Sequence, residues 1–472
     1  MKAPTILWFR QDLRLSDNPA LKAAIERGAP VLPLYILDDE TPGPWRPGGA
    51  SRWWLHHSLS ALSDWLRALG APLVLRRGPA DRVLEELIQE IGATAVYWNR
   101  CYEPSAVRRD RAIKASLEKK GLVVKSFNAS LLAEPWEVKT KAGEPYRVFT
   151  PFWRAASGRL NLTRPLSAPA SLPAVETGLR SDDLESWALL PCAPDWAAEF
   201  EDLWTPGEEG AQLRLTEFLD EGLAHYASGR DRPAESNTSR LSPHLHWGEI
   251  SPRQVWSALD HAEADGRNVE TYRSEFGWRE FSYHLLFQAP ELPDRNLRAE
   301  FDAFPWAEDE TVLQAWQQGR TGYPIVDAGM RELWESGWMH NRVRMIAASF
   351  LVKHLLQPWQ AGARWFWDTL VDADLASNSA SWQWVAGCGA DAAPYFRIFN
   401  PVLQGEKFDP EGTYVRKWLP ELQDLPNSHI HKPWELAEPP QSYPQPIIDL
   451  SAGRRRALEA YETIKGARGQ SA

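Results

Sequence analysis

The sequence predicts an α/β N-terminal domain with a five-stranded parallel sheet, followed by a larger all-helical domain. Two observations predict it. Short apolar runs alternate with helical patterns over the first 130 residues, and strand-like runs do not return after about residue 160. Such alternation is typical of a parallel sheet that helices cover on both faces. At 472 residues, the chain is long enough for two or three domains with cores of their own.

The N-terminal elements follow from the apolar runs. Strands are predicted at 5–10, 30–37, 72–77, 94–99 and 122–127, with helices at 17–27, 50–69, 81–91 and 105–120. Neither the glycine-rich dinucleotide fingerprint nor the P-loop motif accompanies these strands. A ligand could still bind at the carboxyl edge of the sheet, where α/β proteins commonly hold one.

A change in composition and periodicity separates the two predicted domains. The stretch "RPLSAPASLPAVETGL" (164–179) is rich in Pro, Ala and Ser and lacks periodicity, which predicts a surface linker. From about residue 210 the patterns are helical, and 333–356 is predicted as the strongest helix. We therefore expect an α/β domain over 1–130, an interdomain linker over 131–204 and a helical domain over 205–472.

Composition narrows the class of protein. The net charge of −11 argues against a uniformly basic nucleic-acid surface, although a local basic groove is compatible with it. Cys101, Cys192 and Cys388 lie far apart, which argues against a disulfide framework and a cysteine-built zinc site. No apolar run approaches the roughly 20 residues of a membrane span. We expect a cytoplasmic protein without membrane contact.

The stretch "DADLASNSASWQW" (372–384) combines carboxylates, an amide and indoles. Asp374, Asn378 and Trp382 follow one another at helical spacing. A face that runs from carboxylate to amide to indole suits a flat heteroaromatic cofactor with imide edges. A capped helix followed by core tryptophans explains the pattern equally well, and this stretch alone does not decide between the two.

Two further stretches have both a binding and a structural interpretation. Arg240, among the hydroxyls of 237–242, suits a phosphate, but the same residues suit a capped helix start. Glu275 and Arg279 are spaced as a supporting i,i+4 ion pair, whereas Glu275 beside Trp278 suits a base edge and a base plane. The binding interpretation of these residues needs support from elsewhere in the chain.

The predicted helix at 333–356 adds a polar stripe. Trp338, Asn341, Arg342 and Met345 are predicted to share one face, and because an amide and a cation avoid cores, that face is expected to line a pocket. Arg344 lies to one side as the expected partner of a buried aspartate. The HxH pairs His244/His246 and His429/His431 lack zinc-like spacing, so we expect hydrogen-bonded histidines and no metal site.

Seven ordered stretches resemble the DNA photolyase and cryptochrome flavoproteins. They read "WFRQDLRLSDNPAL", "NTSRLSPHL", "WREF", "TGYPIVDAGMR", "GWMHNRVRM", "DADLASNSASWQW" and "DAAPYFRIFNP". The resemblance as a whole extends from residue 6 to about 434. Asn341 and Arg342 with Met345, in place of the histidine pair of (6-4) repair enzymes, are similar to a bacterial class I photolyase for cyclobutane pyrimidine dimers.

The resemblance implies roles for particular residues. It makes the helical domain an FAD-binding domain, with FAD held by Tyr226, Thr238, Ser239, Arg240, Leu241, Ser242, Arg344, Asp372, Asp374 and Asn378. Glu275, Asn378, Trp382, Trp359 and Trp306 would be catalytic, the three tryptophans as a chain that reduces the flavin under light. DNA or the lesion would contact Arg230, Glu275, Trp278, Asn341, Arg342, Met345, Trp384 and Gln404.

The function that the resemblance implies is that of a deoxyribodipyrimidine photo-lyase. Excited reduced FAD would pass an electron to a pyrimidine dimer flipped out of UV-damaged DNA. The alternatives are a cryptochrome-type blue-light photoreceptor without repair and a nucleotide-dependent transferase that uses the sheet domain. Glu103 is the expected antenna contact, with 5,10-methenyltetrahydrofolate as the antenna and a deazaflavin or no antenna as alternatives. We expect a monomer without an obligate protein partner.

Overall fold

One five-stranded sheet organises the N-terminal part of the computed structural model, which describes residues 2–160, 162–175, 178–392 and 397–468. The strands are β1 (Thr5–Phe9), β2 (Val31–Leu37), β3 (Val74–Arg77), β4 (Ala95–Asn99) and β5 (Val123–Phe127). All neighbouring strands are parallel, in the order β3-β2-β1-β4-β5. The predicted five-stranded parallel sheet is confirmed.

Helices connect the strands and cover both faces of the sheet. They are α1 (Pro19–Glu26), α2 (Gly49–Ala68), α3 (Ala80–Ile91) and α4 (Pro104–Lys119). Leu7 and Phe9 of the central strand β1 point into a core shared with α1 and α2, whereas Ile6 and Trp8 point into a core shared with α3 and α4. Burial on both faces explains why these strands are continuous apolar runs in the sequence.

The rest of the chain is helical, as predicted. The interdomain stretch contributes α5 (Phe149–Ser157) and α6 (Phe200–Leu203). The following helices are α7 (Glu208–Glu217), α8 (Tyr226–Gly229), α9 (Ser242–His246), α10 (Pro252–Leu259), α11 (Gly266–Gln288), α12 (Glu310–Gln317), α13 (Pro324–Ser336), α14 (Asn341–Ser349), α15 (Trp359–Thr369), α16 (Leu375–Ala386), α17 (Pro401–Phe408), α18 (Thr413–Trp418) and α19 (Leu450–Arg468). Within the resembling stretch "DAAPYFRIFNP", residues 393–396 lie outside the described residues.

The prediction of one continuous helix over 333–356 is wrong. Helix α13 ends at Ser336 because Gly337 adopts a left-handed backbone (φ +66°), and α14 begins only at Asn341. His340 caps α14, since its Nδ1 accepts a hydrogen bond from the Arg342 amide at 3.1 Å. Trp338 therefore lies in the connection between the helices and does not share a helical face with Asn341.

Glycine allows the sheet domain and the helical domain to pack closely. An added Cβ on Gly48, just before α2, would lie 2.4 Å from the Cα of Asp368 in α15. The Gly49 amide donates a hydrogen bond to the Asp368 carboxylate at 2.9 Å. Arg14, which follows β1, donates to the carbonyl of Gly248 at 2.7 Å. None of the described helices is long and apolar enough to cross a membrane.

Candidate functional site

A cavity of about 590 Å³ opens within the helical domain. Helices α8, α11, α14 and α16, the 238–242 stretch and the turn before α16 form its walls. Its lining includes almost every residue that the resemblance assigned to cofactor or lesion: Tyr226, Arg230, Thr238, Ser239, Arg240, Leu241, Ser242, Glu275, Trp278, Asn341, Arg342, Arg344, Met345, Asp372, Asp374, Asn378, Trp382 and Trp384. The sequence stretches are thus brought to one place.

Asp374 combines two roles at one end of the cavity. It caps α16 by accepting a hydrogen bond from the Ser377 amide at 2.7 Å, and it accepts another from the Tyr283 hydroxyl. Burial alone would raise the pKa of this carboxyl, but the nearby His246 ring (3.5 Å), Arg279 and Tyr283 outweigh it and lower the pKa. Asp374 is therefore a fixed negative charge.

Asn378 lies one helical turn after Asp374, as the sequence spacing predicted. Its Nδ2 donates to the Ala363 carbonyl at 3.0 Å, which fixes the orientation of the amide. Its Oδ1 accepts no hydrogen bond from the residues that the structure describes. Because the residue lines the cavity, this oxygen is available to a ring N–H of a ligand.

The predicted pairing of Arg344 with a buried aspartate is present. Arg344 Nη2 donates to both oxygens of Asp372, at 2.8 and 3.1 Å, and its Nε donates to the Met339 carbonyl at 2.7 Å. The Asp372 side chain is only 3% exposed. The pair joins α14 to the turn before α16 and so fixes two walls of the cavity relative to one another.

Arg240 is a cation without an ion-pair partner among the described residues. Its guanidinium lies 4.6 Å above the Trp338 ring, and burial lowers its pKa. The residue has a left-handed backbone (φ +50°) and is flanked by the hydroxyls of Ser239 and Ser242, which also line the cavity. A desolvated guanidinium with adjacent hydroxyls suits a phosphate group.

The outer wall holds two ion pairs, each between an arginine and a carboxylate. Glu275 on α11 pairs with Arg230 at the end of α8, and Arg342 pairs with Asp231 at 2.8 Å. The i,i+4 pair between Glu275 and Arg279 is not formed, because α11 turns Arg279 toward the Ser130 carbonyl, to which it donates at 2.6 Å. Glu275 is thereby left at the cavity.

Two indoles complete this wall. Trp278 on α11 is 38% exposed and lines the cavity. Trp384 on α16 lines it as well, and its Nε1 donates to the Asp391 carbonyl at 3.1 Å. A carboxylate between flat apolar surfaces can bind a heterocycle by its polar edge and its faces.

Comparison with known proteins decides the family. A family model described as the FAD binding domain of DNA photolyase matches residues 272–463, and one described as DNA photolyase matches residues 5–173. A deoxyribodipyrimidine photo-lyase of Agrobacterium fabrum is 54% identical over 98% of this chain and 98% of that protein. The chain belongs to the photolyase and cryptochrome family.

Other members extend the comparison. Cryptochrome-1 of Arabidopsis thaliana is 40% identical over 97% of this chain and 70% of that protein. A crystal structure of a class III photolyase from Agrobacterium tumefaciens superposes with a TM-score of 0.95 at 53% identity, covering 99% of this chain and 98% of that one. The predictions of a photo-lyase and of FAD as its cofactor are confirmed, whereas class I is not.

The cavity of this photolyase family member fits FAD on chemical grounds. Its volume suits a large folded cofactor. Arg240, which has no ion-pair partner among the described residues, could offer a cation to the phosphates, and Asn378 could offer an amide to the flavin ring. The charge of Asp372 is compensated by Arg344. A carboxylate has about four acceptor sites, so lone pairs of Asp372 that do not face Arg344 could accept hydrogen bonds from cofactor hydroxyls. The residues that would hold FAD are those predicted from the family motifs.

The three predicted electron-transfer tryptophans lie outside the polar part of the cavity. Trp382 is buried against α15, where Gly362 makes room: an added Cβ there would lie 2.1 Å from the indole. Trp359, the first residue of α15, donates from Nε1 to Asn296 at 2.8 Å. Trp306 is partly buried and packs against the same core as the other two.

Four predicted site residues do not line the cavity: Trp306 and Trp359, described above, and Gln404 and Glu103. Gln404 lies on α17, away from the cavity walls. Glu103 directly precedes α4 without a side-chain capping hydrogen bond, accepts a hydrogen bond from Gln11 at 3.0 Å and lies near His246 and Asp374 of the helical domain. Burial raises the pKa of Glu103. Its surroundings are those of a domain-interface carboxyl.

Sequence reasoning missed several residues that support the site. Tyr283 and His246 contact Asp374, Asp231 holds Arg342, and Tyr272 donates to the Ser239 hydroxyl at 2.9 Å. The one sequence signal was His246 itself, which was interpreted only as a structural histidine. Pairing across helices carries no local pattern, so the partners could not be predicted.

Three of the four HxH histidines make hydrogen bonds among the described residues, whereas the buried Nδ1 of His246 has no hydrogen-bond partner there. His244 contacts Glu249 at 2.5 Å and His431 contacts the Asp409 carbonyl at 2.7 Å. His429 lies at the surface beside Ser428. Within the described ranges, no three His, Cys, Asp or Glu side chains gather as a metal site would require.

Proposed function

We propose that this photolyase repairs cyclobutane pyrimidine dimers in DNA under light. The observation that carries the proposal is one cavity with two chemically different parts. Asp374, Asn378 and Arg240 suit FAD, and Glu275 with the two indoles suits a flipped pyrimidine pair in direct contact with it. Proximity of donor and acceptor inside one water-poor cavity favours short-range electron transfer over escape to solvent.

When bound in its reduced form, FAD would supply the light-driven electron that breaks the cyclobutane bonds and then returns to the flavin. The protein residues bind and orient. Glu275 would accept hydrogen bonds from the pyrimidine edge, Trp278 and Trp384 would contact the base faces, and Asn341 and Met345 would complete the wall. Asn378 would accept a hydrogen bond from a flavin ring N–H at Oδ1 and so orient the ring.

Recognition of UV-damaged DNA would rest on the arginines around the cavity mouth. Arg230 and Arg342 are each paired with a carboxylate, which holds both charged side chains at the cavity mouth. Gln404 on α17 would contact the backbone beside them. Because phosphate contacts release counterions, DNA binding should weaken as the salt concentration rises. Flipping the lesion out of the duplex should cost little free energy, since its stacking is already disturbed.

The light-driven reduction of the flavin would use Trp382, Trp359 and Trp306. Their packing in one hydrophobic core supports this role, because an indole in a dry and rigid environment can be oxidised without large solvent rearrangement. The role would be lost if replacement of Trp382 by Phe left photoreduction of oxidised FAD unchanged in rate.

The choice of lesion and of class rests on α14. Asn341 and Met345 line the cavity where (6-4) repair enzymes use a histidine pair, which supports dimer repair. The proposed assignment to class I rests only on Asn341, Met345 and Arg342. The class III structure at 53% identity favours class III over it.

For the antenna we propose 5,10-methenyltetrahydrofolate, with a deazaflavin or no antenna as alternatives. Glu103 is the proposed contact, with its carboxyl near His246 and Asp374 of the helical domain. The absorption spectrum of the purified protein distinguishes the three, since the folate and the deazaflavin would add different bands to the spectrum of FAD and the absence of an antenna would add none.

We also propose that the chain divides into domains at 1–130, 131–204 and 205–472. We propose further that it is a cytoplasmic monomer with no obligate protein partner. Light scattering tests the oligomeric state.

The experiment that tests the function is repair of UV-treated plasmid. The purified protein with reduced flavin should restore transforming ability under blue light and not in the dark. Failure under light with flavin bound would contradict repair and support the photoreceptor alternative, which the 40% identity to Cryptochrome-1 of Arabidopsis thaliana favours. A protein purified without flavin would contradict both.

A further inference from the structure

A phenylalanine from the interdomain stretch lies face to face with the lesion-facing indole of α11. The rings of Phe149, the first residue of α5, and Trp278 have centroids 3.7 Å apart and planes inclined by only 7°. Phe149 does not line the cavity, whereas Trp278 does. Phe149 therefore covers the back of the indole and leaves its other face toward the cavity.

The second indole has a support of its own, which connects to the first. Asp391 follows α16 and accepts the Nε1–H of Trp384 on its main-chain carbonyl at 3.1 Å. Its side-chain Oδ2 accepts the main-chain N–H of Phe149 at 3.3 Å. Asp391 thus contacts Trp384 directly through its main-chain carbonyl, and it contacts Phe149, which covers the back of Trp278, through its carboxylate.

The backbone of Asp391 is held in an uncommon conformation. Its φ is +52°, in the left-handed region that Asp and Asn tolerate better than other side chains. A residue stays in such a conformation only where its surroundings fix it. Here the left-handed turn aims the carbonyl at Trp384 while the carboxylate reaches Phe149, so the conformation and the two contacts depend on one another.

We propose that Phe149 and Asp391 are positioning residues that hold Trp278 and Trp384 in place for the lesion. The proposal rests on the function proposed above. An unsupported indole with exposed faces samples several rotamers, and binding would then have to order it. With one ring stacked and the other hydrogen-bonded, the two walls of the lesion site are ordered before DNA arrives.

The test compares binding of damaged and undamaged DNA. The variants are Phe149→Leu, which keeps an apolar side chain without a flat ring, and Asp391→Ala, which removes the carboxylate. Phe149→Tyr and Asp391→Asn are the conservative partners, since Tyr stacks and Asn keeps an oxygen acceptor in a tolerated backbone. Trp65→Leu, an exposed aromatic on α2 of the sheet domain, is the control.

Phe149→Leu and Asp391→Ala should each weaken binding of a dimer-containing duplex about two- to tenfold. Binding of the identical undamaged duplex, flavin content and melting temperature should stay as in the wild type. Both conservative variants and Trp65→Leu should bind the damaged duplex within about twofold of the wild type. Equal losses for damaged and undamaged DNA, no loss, or a fall in flavin content would overturn the proposal.

Failure of this proposal is distinguishable from failure of the proposed function. If the wild type does not repair plasmid under light, the function fails whatever the variants do. If the wild type repairs and Phe149→Leu binds the lesion as the wild type does, only the positioning role fails. Conversely, if Phe149→Leu selectively loses lesion binding and Phe149→Tyr does not, the effect is assigned to the stacked ring.

Discussion

The Arg344 guanidinium and the Asp372 carboxylate form a buried ion pair, with Nη2 2.8 Å from one oxygen and 3.1 Å from the other. Removing one member of such a pair leaves an uncompensated charge. Asp372→Ala should therefore lower the free energy of unfolding by about 3 kcal/mol and reduce the bound flavin. Urea unfolding and flavin absorbance measure the two effects.

A pair of similar geometry at the surface is the control for that substitution. Arg67 and Asp64 lie 2.6 Å apart with side chains 66% and 69% exposed. Asp64→Ala should change the free energy of unfolding by at most about 1 kcal/mol and leave flavin content alone. If Asp372→Ala behaves like Asp64→Ala, the pair does not hold the cavity walls together.

Glu275 is expected to control lesion binding. Glu275→Ala removes an acceptor for the pyrimidine edge and should weaken binding of a dimer-containing duplex about 10- to 100-fold, because hydrogen bonds to charged groups contribute about 1.5–3 kcal/mol. Glu275→Gln keeps one acceptor and should lose less. Glu270→Ala, exposed on the same helix, is the matched control. A wild-type affinity for Glu275→Ala would contradict the role.

His340 predicts a pH dependence of stability. Burial lowers its pKa from 6.5 to about 4, and the ring is 2% exposed. The unfolded chain binds the proton first as pH falls, so this residue's contribution is intact above pH 6.5 and is lost progressively down to pH 4. The loss attributable to it is about 3 kcal/mol.

The substitution His340→Asn separates that titration from capping, because Asn also caps helices well. The variant should lose less free energy of unfolding than the wild type between pH 6.5 and pH 4, as measured by urea unfolding at several pH values. Parallel pH profiles for both proteins would show that His340 is not responsible. The other buried histidines are present in both and cancel in the comparison.

Gly362 is expected to be required for light-driven flavin reduction. A methyl group at Gly362 would displace Trp382, which lies 2.1 Å from the added Cβ position. Gly362→Ala should slow photoreduction of bound FAD and lower the free energy of unfolding by about 1–3 kcal/mol. Gly266→Ala on α11, where nothing lies within 4 Å, should do neither. Unchanged photoreduction in Gly362→Ala would contradict a role for Trp382.

Sequence patterns predicted what depends on local periodicity. The five strands were predictable because strands of a doubly covered sheet are continuous apolar runs. The capping role of Asp374 and the position of Asn378 one turn later follow from spacing along one helix. The sequence predicted that Arg344 pairs with a buried aspartate, because such a carboxylate needs a cation, but only the structure shows that this aspartate is Asp372.

Other features depend on contacts that local patterns do not encode. The helical periodicity of 333–356 continues through Gly337 and hides the left-handed residue that ends α13. Glu275 and Arg279 have ion-pair spacing, yet each has a partner from another segment, Arg230 and the Ser130 carbonyl. The stack of Phe149 on Trp278 joins residues from different parts of the chain and has no signature in either.

Gly337 connects the 131–204 stretch directly to the turn before α16, which is proposed to bind the flavin. A side chain there would collide with Phe200 of α6 and with Val371, the residue before Asp372, each 2.7 Å from the added Cβ position. The Gly337 carbonyl also accepts the Val371 amide at 2.8 Å. A proteolytic cut beside Phe200 would therefore loosen the support beneath Asp372, and loss of bound flavin would report linker damage 172 positions away along the sequence.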